Sequence, residues 1–323
     1  MWGPDLKNDS LNHSKRKENA SMKNHLFALL LTLGGSLFTA AQDLSPYIRV
    51  VETKESIQPL SDRVADALRQ QGFEILGTYY PANRGTLKVI AFTRDDLKNT
   101  VVKVADRGAL GAVMKVALVD QDGMVTVSYT NPDYLLRAYL RDDYQSYEST
   151  LGRFATDLKK ALSPIGNDFT PFGGTVETEK LKKYHYKIMM PYFTDPVTLG
   201  EYSSFEKGLS TIEDNLKGKK GNTVKVYQLV YPDKRIAVFG VGLRDTEEGE
   251  SYFLPKIGVE HAAAMPYEII LQDNKATMLH GKYRIALHWP DLTMGTFMKI
   301  MSTPGDIEDA LEAVCTPGSS DSP

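Results

Sequence analysis

The chain has one cysteine, Cys315, in 323 residues. No intramolecular disulfide can form in any compartment, so the fold must be held by packing. No basic neighbour is evident to activate that thiol, which reads as a passive helix residue. The compact signatures of known chemistry are absent as well: there is no HExxH, CxxC, GxSxG or GxxxxGK[ST]. Gly240-Val241-Gly242 lacks the third glycine of a dinucleotide loop and falls inside a predicted strand. No metal set and no cofactor are therefore expected. Nor does charge of one sign dominate, since 38 basic and 41 acidic residues leave −3, and nucleic acid finds no electrostatic footprint. The long apolar run, Leu26 to Phe38, is too short to span a bilayer and contains Gly34-Gly35.

What surrounds that run gives it a meaning. Met22-Lys23 precedes it and Thr39-Ala40-Ala41 follows it, the shape of a secretory signal peptide cleaved after Ala41. Residues 1–21 are polar and read as an extension, with Met1 and Met22 both open as the start. The expected product is exported, periplasmic or extracellular, and keeps no stable membrane span.

The remainder is long enough for two cores. Tyr47-Ile48-Arg49-Val50-Val51 predicts a strand, and Leu60, Val64, Ala67 and Leu68 predict a helix ended near Gly72. Strands over 73–80 and 87–93 flank a turn at Pro81, and Asp95 caps a second helix. Met114 to Asp133 is the clearest stretch: alternation, an Asp122-Gly123 turn, alternation again, then Asn131-Pro132-Asp133 to start a long helix. The order is βαββαββα. This predicts an α+β fold with an antiparallel sheet, helices on one face and a long C-terminal helix. Residues 45–163 form this first domain, 164–183 a Pro- and Gly-rich linker, 184–315 a second domain, and 316–323 a disordered tail.

The second domain repeats the first. Tyr80-Pro81-Ala82-Asn83-Arg84 returns 151 residues later as Tyr231-Pro232-Asp233-Lys234-Arg235, and Met114 and Asp122 return as Met265 and Asp273. In this reading 186–192 opens the second copy as a strand, 277–289 is a strand, and Pro290-Asp291 meets Pro132-Asp133 after a seven-residue slip. The stretch from Met114 to Leu135, with its ending Ser128-Tyr129-Thr130-Asn131-Pro132, resembles the core of the domain-of-unknown-function 302 family. The resemblance covers roughly 47–162, and the second copy joins it only through the repeat, because His288-Trp289-Pro290 stands where Asn131-Pro132 would. It implies an α+β domain with a long last helix across a curved sheet. It implies no activity.

Glu260-His261 is the most chemical-looking pair, a carboxylate beside an imidazole, although helix neighbours point about 100° apart. On a strand over 277–289, His280, Lys282, Arg284 and His288 share one face and read as a basic stripe for an anion. His280 and His288 would then lie roughly 26 Å apart, too far to share a metal. Arg84 and Arg235 close the two Tyr-Pro turns and form a further pair of anion candidates. Tyr129 and Asn131 close the polar end of a cavity between sheet and long helix. The leading expectation is a non-enzymatic protein that binds a small molecule or an envelope protein through that cavity or an open sheet face. An acid-base enzyme using Glu260 and His261, and a structural module whose copies pair within or between chains as a homo-oligomer, are the alternatives.

Overall fold

The computed structural model describes residues 43–187 and 189–317, which belong to one compact unit extending from Ala41. The signal-peptide reading of 22–41 lies outside the described residues. The first half runs β1 (Asp43–Leu44), β2 (Tyr47–Thr53), α1 (Ile57–Gln70), β3 (Glu74–Tyr79), β4 (Leu87–Thr93), α2 (Asp95–Val101), β5 (Met114–Gln121), β6 (Met124–Thr130), α3 (Pro132–Leu140) and α4 (Tyr144–Leu162). The connector adds β7 (Thr170–Phe172), β8 (Val176–Glu177) and α5 (Thr178–Leu181). The second half runs β9 (Val197–Glu201), α6 (Phe205–Lys217), β10 (Thr223–Tyr231), β11 (Ile236–Leu243), α7 (Glu250–Ile257), β12 (Tyr267–Gln272), β13 (Lys275–Met278), α8 (Gly281–His288), α9 (Met294–Lys299) and α10 (Thr303–Cys315).

Local chemistry explains the clearest elements. Ile57, Leu60, Val64 and Leu68 fall on one face of α1 and are buried, and Gly72 leaves the helix at φ +77°, where a side chain would be strained. Asp122 and Gly123 both take positive φ in the two-residue β5–β6 turn, as a hairpin of that length demands. Asn131 caps α3 by accepting from the Asp133 N–H at 3.2 Å, with Pro132 in the first turn.

The halves match in strand order and in the helices between the strands, apart from α9. The first sheet has the order β3-β4-β5-β6-β2, extended by β7, and the second has β10-β11-β12-β13-β9, all pairs antiparallel. Register is kept along with order. Leu87 faces Val119 and Ile90 faces Val116, and 151 residues on Val238 faces Ile270 and Val241 faces Tyr267. The Tyr-Pro motifs become equivalent 3-10 turns, Pro81–Asn83 and Pro232–Lys234, each beginning with the proline that fixes its φ.

Several details differ from the sequence reading. The described residues of 186–192 form no strand: Pro191 has no N–H for a ladder, the Tyr186 hydroxyl is anchored on the Leu292 carbonyl at 2.9 Å, and the copy opens instead at β9. The connector, read as a linker, carries a strand of its own: β7 adds to the edge of β2 and pairs Tyr47 with Phe172. Residues 277–289 are β13 followed by α8, not one strand, and His280 caps α8 as Asn131 caps α3. The repeat therefore continues into α8 at an offset of 149 rather than 151, a slip of two residues and not seven, and the extra element is α9. Thr316, placed in the tail, is held by its N–H to the Glu312 carbonyl and by Asn215 on its own carbonyl, both at 2.9 Å.

Each sheet carries its own helices on one face, as expected, but the second face is not open. Alternation in β5 sends Met114, Val116 and Leu118 into the core under α1 and α4, while Ala117 and Val119 join Leu87, Val89 and Ala262 to Ala264 from the other half. Reciprocally, Ile236, Val238 and Ile270 of the second sheet join Ala109, Leu110 and Ala112 of the first half. β4 and β11 are consequently buried along their full length. The edge strands β3 and β10 meet at Gly77, where a Cβ would stand 2.0 Å from the Val226 carbonyl oxygen. Among the described residues, no helix is long and apolar enough to cross a membrane.

Candidate functional site: the seam and its cleft

The joined faces enclose charge. Lys115 sits on the seam side of β5 and Glu268 on the seam side of β12, between Tyr267 and Ile269, which point to their own helices. Lys115 Nζ meets Glu268 Oε1, and Arg284 Nε on α8 donates to Glu268 Oε2 at 3.0 Å. Arg284 Nη2 also donates to the carbonyls of Ala264 at 2.5 Å and Pro266 at 2.8 Å, with the guanidinium 3.9 Å above the Tyr267 ring. These three side chains are at most 4% exposed. Burial works against the Glu268 charge, yet Arg284 and Lys115 together hold its carboxyl below the ordinary range. Burial, then Arg284, pushes the Lys115 ammonium down despite its partner.

Beside this triad lies an aromatic box. The Tyr47 hydroxyl is 3.1 Å from both Nδ1 and the carbonyl of His288, and the rings of Tyr47, Phe172 and Trp289 surround His261 at 5.3 to 6.2 Å. Burial depresses both imidazoles, and the positive Arg284 and Lys115 press His288 further, so both are neutral at pH 7. A second polar contact crosses the seam at Glu250, the first residue of α7. Its carboxylate accepts from the Tyr79 hydroxyl at 3.1 Å and the N–H groups of Ala82 at 2.9 Å and Leu243 at 3.2 Å. Burial outweighs these donors and lifts its pKa to about 7.

The residues singled out in the sequence do not form one site. On α8, Arg284 and His288 lie one turn apart and turn into the seam, Lys282 is exposed, and His280 is a cap whose Nδ1 accepts from the Lys282 N–H. The basic stripe does not exist, because α8 is a helix. Glu260 and His261 approach to 3.6 Å, longer than a hydrogen bond. Tyr129 is core, and Asn131 spends its amide on the Ser45 carbonyl at 2.8 Å and its oxygen on the α3 cap, so neither closes a cavity. Arg235 pairs with Asp273 at 2.5 Å and Arg84 stands exposed, and neither borders the cavities described below. Among the described residues, no group of three or more His, Cys, Asp or Glu is placed to hold a metal. Cys315 is buried, and burial pushes its thiol up to about 12.

The cavity that does draw on both halves is a cleft of about 540 Å³ where the end of α3, the connector and α8 meet. Tyr184, Phe193 and Tyr283 supply aromatic walls, packed edge to face at 6.0 to 6.1 Å. Tyr184 is fixed by its hydroxyl on the Ala286 carbonyl at 2.7 Å. Arg141 and Arg107 both stack on Phe193, at 4.7 and 4.8 Å, and share the carboxylate of Asp106. Arg141, Lys182 and Lys183 border the opening together with Asp142 and Asp143. Sequence reading missed this site because Arg141, Phe193 and Tyr283 come from three distant segments with no common spacing.

No protein-family model matches the sequence, and no curated protein does. Among solved structures, the crystal structure of the uncharacterized conserved protein DUF302 from Bacillus stearothermophilus is similar to part of the chain. The identity is 12% and the TM-score 0.31, over 36% of this chain and 95% of that one.

Proposed function

We propose that the protein is an exported, non-enzymatic binding protein of two related halves, and that its ligand is a small planar anion held in the cleft between them. On this reading the first half is a domain-of-unknown-function 302 fold, supported by the residues from Met114 to Pro132, and the second is its divergent copy, supported by the shared strand order and register. The leader-like stretch before Gln42 supports export.

The observation that carries the ligand assignment is the pairing of aromatic walls with three cations, Arg141, Lys182 and Lys183, against the two carboxylates of Asp142 and Asp143 that border the same cleft. Such a wall takes a flat apolar body, and the surplus cation takes its carboxylate or sulfonate. Calorimetry with aromatic and aliphatic carboxylates, beside neutral and cationic analogues of the same rings, tests it. Aromatic anions are expected to bind with dissociation constants on the order of 10–100 μM, and Arg141→Gln to weaken them about tenfold or more, the worth of a hydrogen bond to a charged group. Silence across the panel, or affinity indifferent to Arg141, would defeat the proposal. The acid-base alternative draws only on the 3.6 Å approach of Glu260 to His261 and takes second place.

A further inference from the structure

We infer that the groove beside α9 is a second binding site, one that takes the hydrocarbon end of an amphiphile with an anionic headgroup. α9 has no counterpart in the first half, where α3 passes into α4 through the three-residue turn Arg141–Asp143. The fold of a half therefore closes without it. Its apolar side chains are nevertheless turned outward: Met294 and Met298, with Met301 just beyond, are more than half exposed, and Met189 on the connector is almost wholly so. Met294 lines a groove and Met298 follows it one turn on along the same helix face, and an apolar surface left open in this way marks an interaction site.

Between α8, α9 and the connector runs a groove of about 210 Å³, walled by Tyr186, Met190, Ile285, Met294 and Phe297 among others. Its charged lining residues are Lys187 and Lys282, and no acidic residue borders it. Lys282 makes no ion pair among the described residues. Thioether side chains adapt to an alkyl chain, and two ammonium groups fit an anionic head. At about 30 Å³ for each water-sized group, the groove holds roughly seven methylenes. A free carboxylate or the chain of an anionic lipid would meet the same chemistry.

The inference goes beyond the cleft and is tested apart from it, with octanoate, octyl sulfate, octylammonium and octyl glucoside as calorimetric probes of the full chain. Octanoate and octyl sulfate are expected to bind one to one and octylammonium at least tenfold more weakly. Met294→Asp is expected to lose at least tenfold for the anions while Met294→Leu keeps their affinity. Lys187→Glu with Lys282→Glu, both on exposed side chains, should reverse the order of octanoate and octylammonium. Octanoate binding that persists in Arg141→Gln separates this site from the cleft. Sedimentation with phosphatidylglycerol vesicles then tells a lipid source from a free one. Equal affinity for anionic and cationic chains, indifference to Met294→Asp, or no octanoate binding at millimolar concentration would overturn the inference.

Discussion

Substituting Glu268 by alanine is expected to cost roughly 3–5 kcal/mol of folding stability, a large fraction of what a protein of this kind possesses. The triad holds two cations and one anion at the centre of the seam, each almost fully buried. Removing the anion leaves Lys115 and Arg284 buried together with no counter-charge between them. Removing one cation is a different experiment. Lys115→Met leaves Glu268 paired with Arg284, which is anchored on two carbonyls, and replaces an ammonium that burial already disfavours by an apolar chain of similar length. Its expected cost is about 1 kcal/mol or less. Urea unfolding of the two variants measures the contrast, and equal losses would contradict the assignment of Glu268 as the shared anchor.

The second large effect is a pH dependence carried by Glu250. Its folded pKa of about 7 lies above the ordinary carboxyl value of 4.5, so folding favours the protonated form. The favourable contribution is complete below pH 4.5 and is lost as pH rises towards 7. Over that interval the wild type is expected to lose roughly 3 kcal/mol relative to Glu250→Gln, which cannot ionise. The comparison with the glutamine variant isolates this group from His261 and His288, whose depressed values act in the opposite sense: their contribution weakens as pH falls below the ordinary imidazole range. Glu250→Gln also rearranges the contacts to Tyr79, Ala82 and Leu243, which shifts the whole curve without changing its slope. Parallel stability curves for the two proteins between pH 4.5 and 7.5 would refute the assignment.

Both effects sit where sequence reading was weakest. The hairpin from Met114 to Thr130 and the cap at Asn131 were legible because alternation, turn residues and capping are short-range physics. Repetition of that physics at 151 residues made the second half legible in outline. α8 was not, because every residue of it except Lys282 is buried, and a helix apolar and covered over most of its circumference has little amphipathic stripe to read. Arg284 and His288, read as part of a basic stripe for an anion, became seam residues for that reason.

The seam had one visible trace. Lys115 interrupts the apolar run of β5 and Glu268 that of β12, and opposite charges in matched, otherwise apolar strands are costly unless they meet. The cleft left no such trace, since its walls converge only after the connector has folded back as β7 and α5. Charge pairing was thus recoverable from pattern, and convergence of distant segments was not.

The central claim is that the two halves unfold together, because each buries the second face of the other's sheet. Of the two tryptophans in the sequence, Trp2 and Trp289, only Trp289 remains in a chain beginning at Gln42, and it is buried in the aromatic box at the seam. Urea unfolding of that chain, followed at once by Trp289 fluorescence and by far-ultraviolet circular dichroism, should give a single transition with one midpoint for both signals. A fluorescence change completed while a second transition in secondary structure is still to come would show that the halves part before they unfold, and would contradict the account.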